Sequence, residues 1–328
     1  MLIRDINYGS FDVREPVLIE LVSSNALDRL KRIGQMGIPQ EYYPFATFSR
    51  YEHSIGVMLL LRKLGADLEE QAAGLLHDAS HTAFSHTIDW AIGKGMEGNE
   101  DLQDSSHVAV LALTDVPKIL ERYGYDFGKI SEIKRYRLLE RSAPDLCADR
   151  LDYALKEFYY WENKPAAKLC ADDLTVFDGK IVFKSKKSAT VFGENYMTLQ
   201  NKHWGGVEAV TQYYIMAKII KLGLEHEVIS LDDLMVDDQY VMSKLKGSGN
   251  VDIDRYFRLL SYKGTLPKSN GAHSQRVVKK FRYVDPEYIE GDSLVRLSEQ
   301  DNNYKDLLRM SRERNMKGVT ISLDFDAS

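Results

Sequence analysis

Residues 75–86 read LLHDASHTAFSH, a stretch that places three histidines and an aspartate directly after an apolar run. The chain has eight histidines in 328 residues, and five of them fall within one segment of 55 residues. His77 and Asp78 stand at the end of a predicted apolar helix, where burying an imidazole and a carboxylate is costly unless another group pairs with them. A divalent cation would be such a partner, and facing helices of a bundle are a common place for one.

The chemistry of the candidate ligands narrows the choice of metal ion. Imidazole nitrogen and carboxylate oxygen suit Mn²⁺, Fe²⁺, Co²⁺, Ni²⁺, Zn²⁺ or Mg²⁺, and two cysteines are too few for a thiolate zinc site. His53, at the start of the preceding predicted helix, is a third candidate ligand. Asp149 and Asp152 lie three residues apart on one helix face, so spacing leaves open which is the fourth. The spacing is equally compatible with two surface acids paired with Arg150 and Lys156.

Helical periodicity dominates the first half of the chain. From about Val17 to Phe158 the apolar residues recur mostly every three or four positions, which predicts helices. Proline at a helix start and glycine after a helix end mark several boundaries. The predicted helices cover 16–37, a segment that ends at Gly65, 68–78 and 145–160. Nine residues separate His77 from His86, which would place them on opposite faces of an unbroken helix, so this helix is predicted to end near Ser80.

The pattern changes after about residue 165. Two β-prone runs flank Asp178-Gly179, a pair typical of a tight hairpin. A long helix interrupted at Gly205-Gly206 follows, then a helix start at SLDDLM (230–235), a β-prone run over 277–283, a helix over 298–314 and a final strand. The sequence therefore predicts a mainly α protein, with a helical core over residues 1–165 and an accessory region over 166–328 that ends in a small α+β tail.

Composition excludes some functions. The net charge of −6 and the isoelectric point near 5.8 argue against a protein that mainly grips a nucleic-acid backbone. The basic runs at 184–187 and 276–282 are interpreted as solvated faces or strand edges. No apolar run approaches the roughly 20 residues of a membrane span, and the first residues mix charged with apolar side chains. A cytoplasmic protein without a membrane partner is expected.

Four segments resemble one known family. They are LDRLKRIGQMG (27–37), FSRYEHSIGV (48–57), GLLHDASHTAFSHTID (74–89) and DRLDYALKE (149–157). They are similar to the HD-domain metal-dependent phosphohydrolases, whose signature is H…HD…D, in the branch of the deoxynucleoside triphosphate triphosphohydrolases that includes enzymes with a sterile alpha motif. The resemblance covers about residues 3–160 and implies an HD-domain helical bundle.

The resemblance also implies a metal site and a proton donor. It assigns one divalent metal, with manganese among the candidates, to the ligands His53, His77, Asp78 and Asp149. It thereby favours Asp149 over Asp152. It implies attack by a metal-activated hydroxide on the α-phosphorus, with His86 as the general acid. His107 corresponds to a residue near the scissile bond, and Asp89 is expected to orient His86 or His107.

Seven further positions match nucleotide-contacting positions of the family: Arg50, His81, Gln35, Arg150, Tyr153, Lys156 and Glu157. The basic residues and His81 are expected at the phosphates, and Tyr153 and Gln35 near the sugar. Two positions depart from the family. Ser80 replaces a glycine, and Glu157 replaces an aspartate that contacts the sugar 3′-hydroxyl, which weakens the expectation of strict deoxynucleotide selection.

The predicted function is metal-dependent hydrolysis of nucleotides, with deoxynucleoside triphosphates cleaved to nucleoside and tripolyphosphate. One alternative is a phosphatase or phosphodiesterase that acts on another nucleotide or phosphoester. Another is a nucleotide-sensing regulatory HD module, although a pure sensor has no need of a proton donor. A homo-oligomer is expected by analogy with the family.

Overall fold

The computed structural model describes residues 1–93, 102–261 and 274–323, and for residues 102–105 and 322 it describes the backbone alone. Most of these residues are helical, which confirms the predicted mainly α fold with a small β region. The helices are α1 Pro16–Val22, α2 Asn25–Leu30, α3 Arg50–Lys63, α4 Leu68–Leu76, α5 Thr87–Ala91, α6 Leu102–Ala112, α7 Val116–Arg122, α8 Phe127–Ser131, α9 Ala148–Glu157, α10 Lys164–Asp173, α11 Lys186–Thr198, α12 Val207–Glu225, α13 Asp238–Lys246, α14 Val251–Ser261, α15 Leu297–Gln300 and α16 Asn302–Lys317. The strands are β1 Leu2–Asp5, β2 Gly9–Asp12, β3 Leu174–Phe177, β4 Lys180–Phe183, β5 Ser274–Val277, β6 Glu287–Glu290, β7 Ser293–Arg296 and β8 Val319–Ser322.

The first predicted helix is in fact two. The helix expected over 16–37 is interrupted by two serines, and Ser24 caps α2 by accepting a hydrogen bond from the Leu27 amide. Serine side chains compete with the helix for backbone groups, which favours such a break. Residues after α2 run in turns to Gly37, whose φ of +67° suits glycine. A Cβ there would lie 2.4 Å from the carbonyl oxygen of Phe84, so the glycine also allows two site segments to meet.

Helices α3 and α4 present the HD stretch. Ser49 and Glu52 form a capping box that begins α3 one residue before Arg50. This helix ends before Gly65, as predicted, and Asp67 caps α4. Helix α4 ends at Leu76, so the prediction that it ends before His86 is confirmed, although the end lies four residues earlier than Ser80.

The hairpin and the broken helix were predicted correctly. Asp178 and Gly179 both have positive φ, which is the conformation of a type I′ turn, and they join β3 to β4. Strands β6 and β7 complete this four-stranded sheet, in the order β3-β4-β6-β7. Helix α11 continues into a π-helical stretch, Leu199–Trp204, and α12 begins after Gly206. A Cβ on Gly206 would lie 2.2 Å from a backbone oxygen, so the chain requires glycine there.

Other predictions for the accessory region were wrong in detail. Most of the run over 277–283 is not a strand. Only its first residue, Val277, belongs to one, because the pairing of β5 with β8 ends there. SLDDLM forms a single 3₁₀ turn, Asp233–Met235, and the helix predicted over 298–314 is divided into α15 and α16. The sequence reasoning missed the hairpins β1–β2 and β6–β7.

Two hydrophobic clusters form the core. The larger one joins both sides of position 165, where for example Phe158 of the first half packs its ring 5.4 Å from that of Phe192. The smaller one surrounds α12 and includes Trp90 of α5. The domain boundary at 165 remains a prediction. Among the described residues no helix is both long and apolar enough to cross a bilayer.

Candidate metal and phosphate site

Two imidazoles face each other at the centre of the site. Nε2 of His53 lies 3.2 Å from Nε2 of His77. Nδ1 of His77 donates to the carbonyl of Gly74 at 2.7 Å, and Nδ1 of His53 lies 2.7 Å from a carboxylate oxygen of Asp152. These partners assign the proton of each neutral ring to Nδ1, so that both Nε2 lone pairs face the same space. Two such lone pairs would repel each other at this distance, so the space between the rings favours a cation, either a proton on one of the rings or a metal ion.

Carboxylates surround the same point. Asp149 Oδ1 lies 3.0 Å from His53 Nε2 and 3.5 Å from His77 Nε2. Asp78 Oδ1 lies 3.4 Å from His77 Nε2, and Asp78 Oδ2 lies 3.7 Å from His53 Nε2. Burial alone would lower the pKa of His77, but Asp78 and Asp149 raise it to about 9. The structure therefore brings all four predicted ligands together, in a field that attracts positive charge.

Asp152 lies behind this centre. Its Oδ2 holds Nδ1 of His53, while its Oδ1 accepts a hydrogen bond from Lys156 Nζ at 2.6 Å. Lys156 also pairs with Asp5 Oδ2 at 3.0 Å. The structure thus gives Asp149 and Asp152 different surroundings, which helix spacing alone left open. A carboxylate behind a ligating histidine fixes its tautomer and orientation.

The side chain of Lys156 does not reach the cavity, contrary to the prediction. The sequence reasoning placed it among the substrate contacts, but its ammonium is buried against Asp152 and Asp5 and does not line the cavity. Lys156 stands one helical turn after Asp152, on the face of α9 that packs against α3. A Cβ on Gly56 of α3 would lie 2.0 Å from Lys156 Nζ, so a glycine makes room for the ammonium.

Arg50 lies beside the metal-ligand set. The side chain is buried, and its guanidinium donates to Asp78 Oδ2 at 2.7 Å and to Ser85 Oγ at 3.0 Å. It also donates to the carbonyl of Gln35 at 3.3 Å. Burial would raise the pKa of Asp78, but Arg50 and the neighbouring histidines hold it well below its ordinary value. The carboxylate is therefore ionised and available to a cation.

A strained turn brings His81 and His86 together. Phe84 and Ser85 have φ values of +60° and +47°, in the left-handed region that non-glycine residues rarely occupy. Asp238 of α13 holds this turn, because its carboxylate accepts from the Phe84 amide at 2.8 Å and from the Gly34 amide at 2.9 Å. The rings of His81 and His86 lie 4.9 Å apart and perpendicular.

The three candidate catalytic residues are His86, Asp89 and His107. His86 is partly exposed, and its Nδ1 lies 3.5 Å from Oδ2 of the buried Asp89. His107 is buried, with Nδ1 3.0 Å from Ser80 Oγ. Burial and the positive charge of His77 lower the pKa of His107 to about 4, so its ring is neutral near pH 7.

A cavity of about 490 Å³ joins these groups. The predicted site residues among its lining are Gln35, Arg50, His77, Asp78, His81, His86, His107, Asp149, Arg150, Tyr153 and Glu157. His53, Asp89 and Lys156 lie behind it. Arg150 reaches it only in part, since its guanidinium donates to the carbonyls of Asp145 and Arg141 at 2.6 and 3.1 Å.

The sequence reasoning missed part of the cavity wall. Tyr196, Trp204, Tyr213 and the segment KKFRY (279–283) also line it. Trp204 Nε1 donates to Glu157 Oε2 at 2.9 Å, and burial raises the pKa of Glu157 well above its ordinary value. The basic run over 276–282 was the available signal, but a run of this kind more commonly indicates a solvated face or a strand edge.

Several known proteins are similar to this chain in sequence or in fold. Residues 50–170 match the HD domain family. The chain is 34% identical over 326 residues to the uncharacterised protein YdhJ of Bacillus subtilis, which covers 98% of this chain and 99% of that one. It is 32% identical over 298 residues to the metal-dependent phosphohydrolase cns2 of Cordyceps militaris, which covers 88% of this chain and 84% of that one.

Two further comparisons are more distant. A shorter match, 32% over 103 residues, reaches a deoxynucleoside triphosphate triphosphohydrolase of Bos taurus and covers 27% of this chain and 17% of that one. A hypothetical protein from Aquifex aeolicus superposes with a TM-score of 0.70 at 17% identity, and the match covers 97% of this chain and all of that one. The structural likeness shows a common fold.

Proposed function

The chain belongs to the HD-domain family of metal-dependent phosphohydrolases, and from this premise we propose that it hydrolyses nucleotides, releasing nucleoside and tripolyphosphate from deoxynucleoside triphosphates. The observation that carries the proposal is the pair of imidazoles, His53 and His77, that face each other beside two carboxylates and Arg50. This arrangement opens into a cavity large enough for a nucleotide, since ligand pockets span about 300–1,000 Å³.

The family's divalent metal fits this centre. His53, His77 and Asp149 would hold it, because their donor atoms converge and both Nδ1 protons are already engaged. Asp78 would complete the set, since its Oδ1 lies 3.4 Å from His77 Nε2. The bound ion would supply Lewis acidity to a phosphoryl oxygen and to an attacking water. Arg50 and His81 stand beside Asp78, where they would bind non-bridging oxygens of the phosphate.

His86 is the proposed proton donor. Its ring lines the cavity next to His81, and its Nδ1 lies 3.5 Å from Oδ2 of Asp89. In this role a protonated imidazole would give its proton to the leaving oxygen as the phosphorus–oxygen bond breaks. Asp89 acts through His86 and is a positioning residue.

Aromatic side chains and Glu157 would bind the nucleoside. The hydroxyls of Tyr153 and Tyr196 lie 2.7 Å apart, and the ring of Trp204 lies 5.7 Å from that of Tyr153. A protonated Glu157 can donate a hydrogen bond to a sugar hydroxyl while Trp204 holds its other oxygen. The partial match to a deoxynucleoside triphosphate triphosphohydrolase also supports this substrate.

Glu157 also supports an alternative function. Glu157 stands where the triphosphohydrolases have aspartate, and a longer side chain would place its carboxyl differently against the sugar. A phosphatase or phosphodiesterase acting on another nucleotide or phosphoester would use the same metal site and proton donor. The two functions differ in product, because the alternative releases orthophosphate or a nucleoside monophosphate.

The test is product analysis with a nucleotide panel. The purified chain is incubated with deoxynucleoside and ribonucleoside triphosphates and monophosphates, each with Mn²⁺, Mg²⁺, Co²⁺ or Ni²⁺. Chromatography should detect nucleoside and tripolyphosphate in equal amounts. Asp78→Asn should abolish release, whereas Asp172→Asn, at an exposed acid of α10, should not. Release of orthophosphate or a nucleoside monophosphate in place of tripolyphosphate would favour the alternative. The absence of nucleoside release from every triphosphate would refute the triphosphohydrolase.

A further inference from the structure

A row of buried polar side chains connects the N-terminal hairpin to the proposed metal ligands. Asp5 Oδ2 of β1 lies 3.0 Å from Lys156 Nζ, which donates to Asp152 Oδ1 at 2.6 Å. The other oxygen of Asp152, Oδ2, lies 2.7 Å from Nδ1 of His53. None of these four side chains is more than 5% exposed. The row therefore runs from β1 through α9 to a candidate metal ligand on α3.

The turn of the hairpin fixes Asp5 at the start of the row. Its Oδ1 accepts hydrogen bonds from the amides of Asn7 at 2.8 Å and Tyr8 at 3.2 Å. An aspartate oxygen often bonds the backbone two residues further on in this way, which stabilises a turn. Because Oδ1 is occupied by the turn, Oδ2 is the oxygen that faces Lys156, and the turn sets where the ammonium lies.

The packing of α3 against α9 leaves the ammonium little room to move. A Cβ on Gly56 would lie 2.0 Å from Lys156 Nζ and 2.1 Å from Asp152 Oδ1. The centre of the Tyr8 ring lies 5.8 Å from Nζ on another side. The ammonium and the carboxylate are therefore held against the backbone of the helix that carries His53.

This ion pair has a better explanation than stability of the fold. Taking both charges out of water costs about as much as their attraction returns, so a buried pair is weak evidence for stability. The two oxygens of Asp152 have different partners, one Lys156 and the other His53. By holding Oδ1, Lys156 fixes the rotation of the carboxylate that keeps Oδ2 at the histidine.

Lys156 would act on a metal ion in two opposing ways. Its positive charge would repel the ion, whereas its hold on Asp152 keeps the ring of His53 oriented with Nε2 toward the other ligands. The repulsion is weakened because the two carboxylates of Asp5 and Asp152 flank the single ammonium. The three groups together are negative, so the orienting effect should prevail.

We propose that Lys156 and Asp5 are positioning residues of the metal site, which act through Asp152 to orient His53 and so strengthen the binding of the divalent metal. The inference rests on the ligand set of the proposed function, and it is independent of which ester is hydrolysed. It gives the hairpin a role in metal binding, although none of residues 2–12, all of which the structure describes, lines the cavity.

Metal affinity tests this without turnover. The full metal-free chain is titrated with Mn²⁺, and free Mn²⁺ is followed by electron paramagnetic resonance. Lys156→Met should weaken binding about fivefold or more, toward the range typical of groups behind a metal ligand. Asp5→Asn should weaken it about threefold, because asparagine removes the charge but can still accept the amides of Asn7 and Tyr8. Gly56→Ala should also weaken it, since the added methyl group displaces the ion pair without removing a charge.

A double-mutant cycle separates positioning from a general loss of structure. In the Asp152→Asn background, Lys156→Met should change the Mn²⁺ affinity less than about twofold, because the residue through which Lys156 acts is already altered. Lys168→Met is the matched control. It breaks an exposed pair with Asp172 that has the same four-residue spacing on a helix, and it should leave the affinity unchanged.

Urea unfolding of the metal-free proteins shows which variants are folded. Unchanged or tighter Mn²⁺ binding by folded Lys156→Met would overturn the proposal, as would an equal loss of affinity in the two backgrounds of the cycle. If Lys156→Met does not fold, Asp5→Asn and Gly56→Ala decide the matter, and normal Mn²⁺ binding by both would overturn it.

The outcome is separable from that of the function itself. If no nucleotide releases nucleoside, but the variants bind Mn²⁺ more weakly than the unmodified chain, the triphosphohydrolase activity is refuted and the positioning role is supported. If nucleoside is released while every variant binds Mn²⁺ as tightly as the unmodified chain, the activity is supported and the positioning role is refuted.

Discussion

Ser80 Oγ lies 3.0 Å from Nδ1 of His107, and both side chains are buried. The other ring nitrogen of His107, Nε2, is also buried, and within the described ranges it has no hydrogen-bond partner. The serine therefore fixes the rotation of the ring and leaves Nε2 for a ligand in the cavity. The resemblance to the triphosphohydrolases predicts glycine at position 80, which could not make this contact.

Replacing this serine should slow turnover. Ser80→Ala removes the hydrogen bond, worth about 1 kcal/mol, so kcat should fall about fivefold while KM changes little. Steady-state kinetics on the best substrate of the panel measures both values. Metal content, determined by elemental analysis, should stay the same because Ser80 is not a proposed ligand. An unchanged kcat would show that the contact does not position His107 for the reaction.

Replacing the carboxylate of Asp238 should destabilise the strained turn at Phe84 and Ser85. Asp238→Asn keeps one acceptor oxygen but places an amide group against a backbone N–H of Phe84 or Gly34. The free energy of unfolding should fall by about 1–3 kcal/mol, and kcat should fall with it because His81 and His86 lose their fixed positions. Urea unfolding and steady-state kinetics measure the two effects.

Asp232 provides the matched control, since it is an exposed acid of the same region. Asp232→Asn should change neither quantity. A stable Asp238→Asn protein with full activity would mean that the turn keeps its shape without this carboxylate.

Removing the charge behind His53 should weaken metal binding. Asp152→Asn can still accept the proton of His53 Nδ1, but it loses the negative charge and the ion pair with Lys156. Changes of this kind typically cost about 10–100-fold in metal affinity. Titration of the metal-free protein with Mn²⁺ measures the affinity. Asp172→Asn should bind Mn²⁺ normally, and normal binding by Asp152→Asn would contradict the role given to Asp152.

Glu157 predicts a dependence of stability on pH. Because burial raises its pKa in the folded protein, the neutral form is the stable one there. Its contribution to the free energy of unfolding is complete below the ordinary pKa near 4.5, and it is lost as the pH rises toward the raised pKa of the folded protein. Glu157→Gln mimics the neutral acid and keeps an acceptor for Trp204 Nε1. Its melting temperature relative to the unmodified protein should therefore increase from pH 4.5 to 8, as followed by circular dichroism. A constant difference would contradict a raised pKa.

The sequence predicted the local structure near the metal ligands well. Glycines and helical periodicity are local signals, so the end of α3 before Gly65, the end of α4 before His86 and the Asp178-Gly179 turn could all be identified. The convergence of His53, His77, Asp78 and Asp149 followed from the resemblance, because spacing alone did not separate Asp149 from Asp152. The break after α1 was missed because two serine caps outweighed an otherwise continuous apolar pattern.

The rest depended on tertiary contacts that spacing cannot reveal. Lys156 shares a helix with Tyr153 and Glu157, yet it points to Asp5 of the N-terminal hairpin, which no periodicity connects to α9. The KKFRY segment is far from the histidines in sequence, and its charge resembles that of an ordinary surface. Its place in the cavity is fixed by Gln200 and Asn315, which lie in two other elements.

The cavity is built from several separate stretches of chain, and Lys279–Tyr283 is one that lies far in sequence from the histidines. Within the proposed function, the wall at 279–283 can change in sequence without replacing any of the four candidate metal ligands, because none of them belongs to it. We therefore expect relatives that keep these ligands to differ in this wall, and with it in the ester that the cavity accepts.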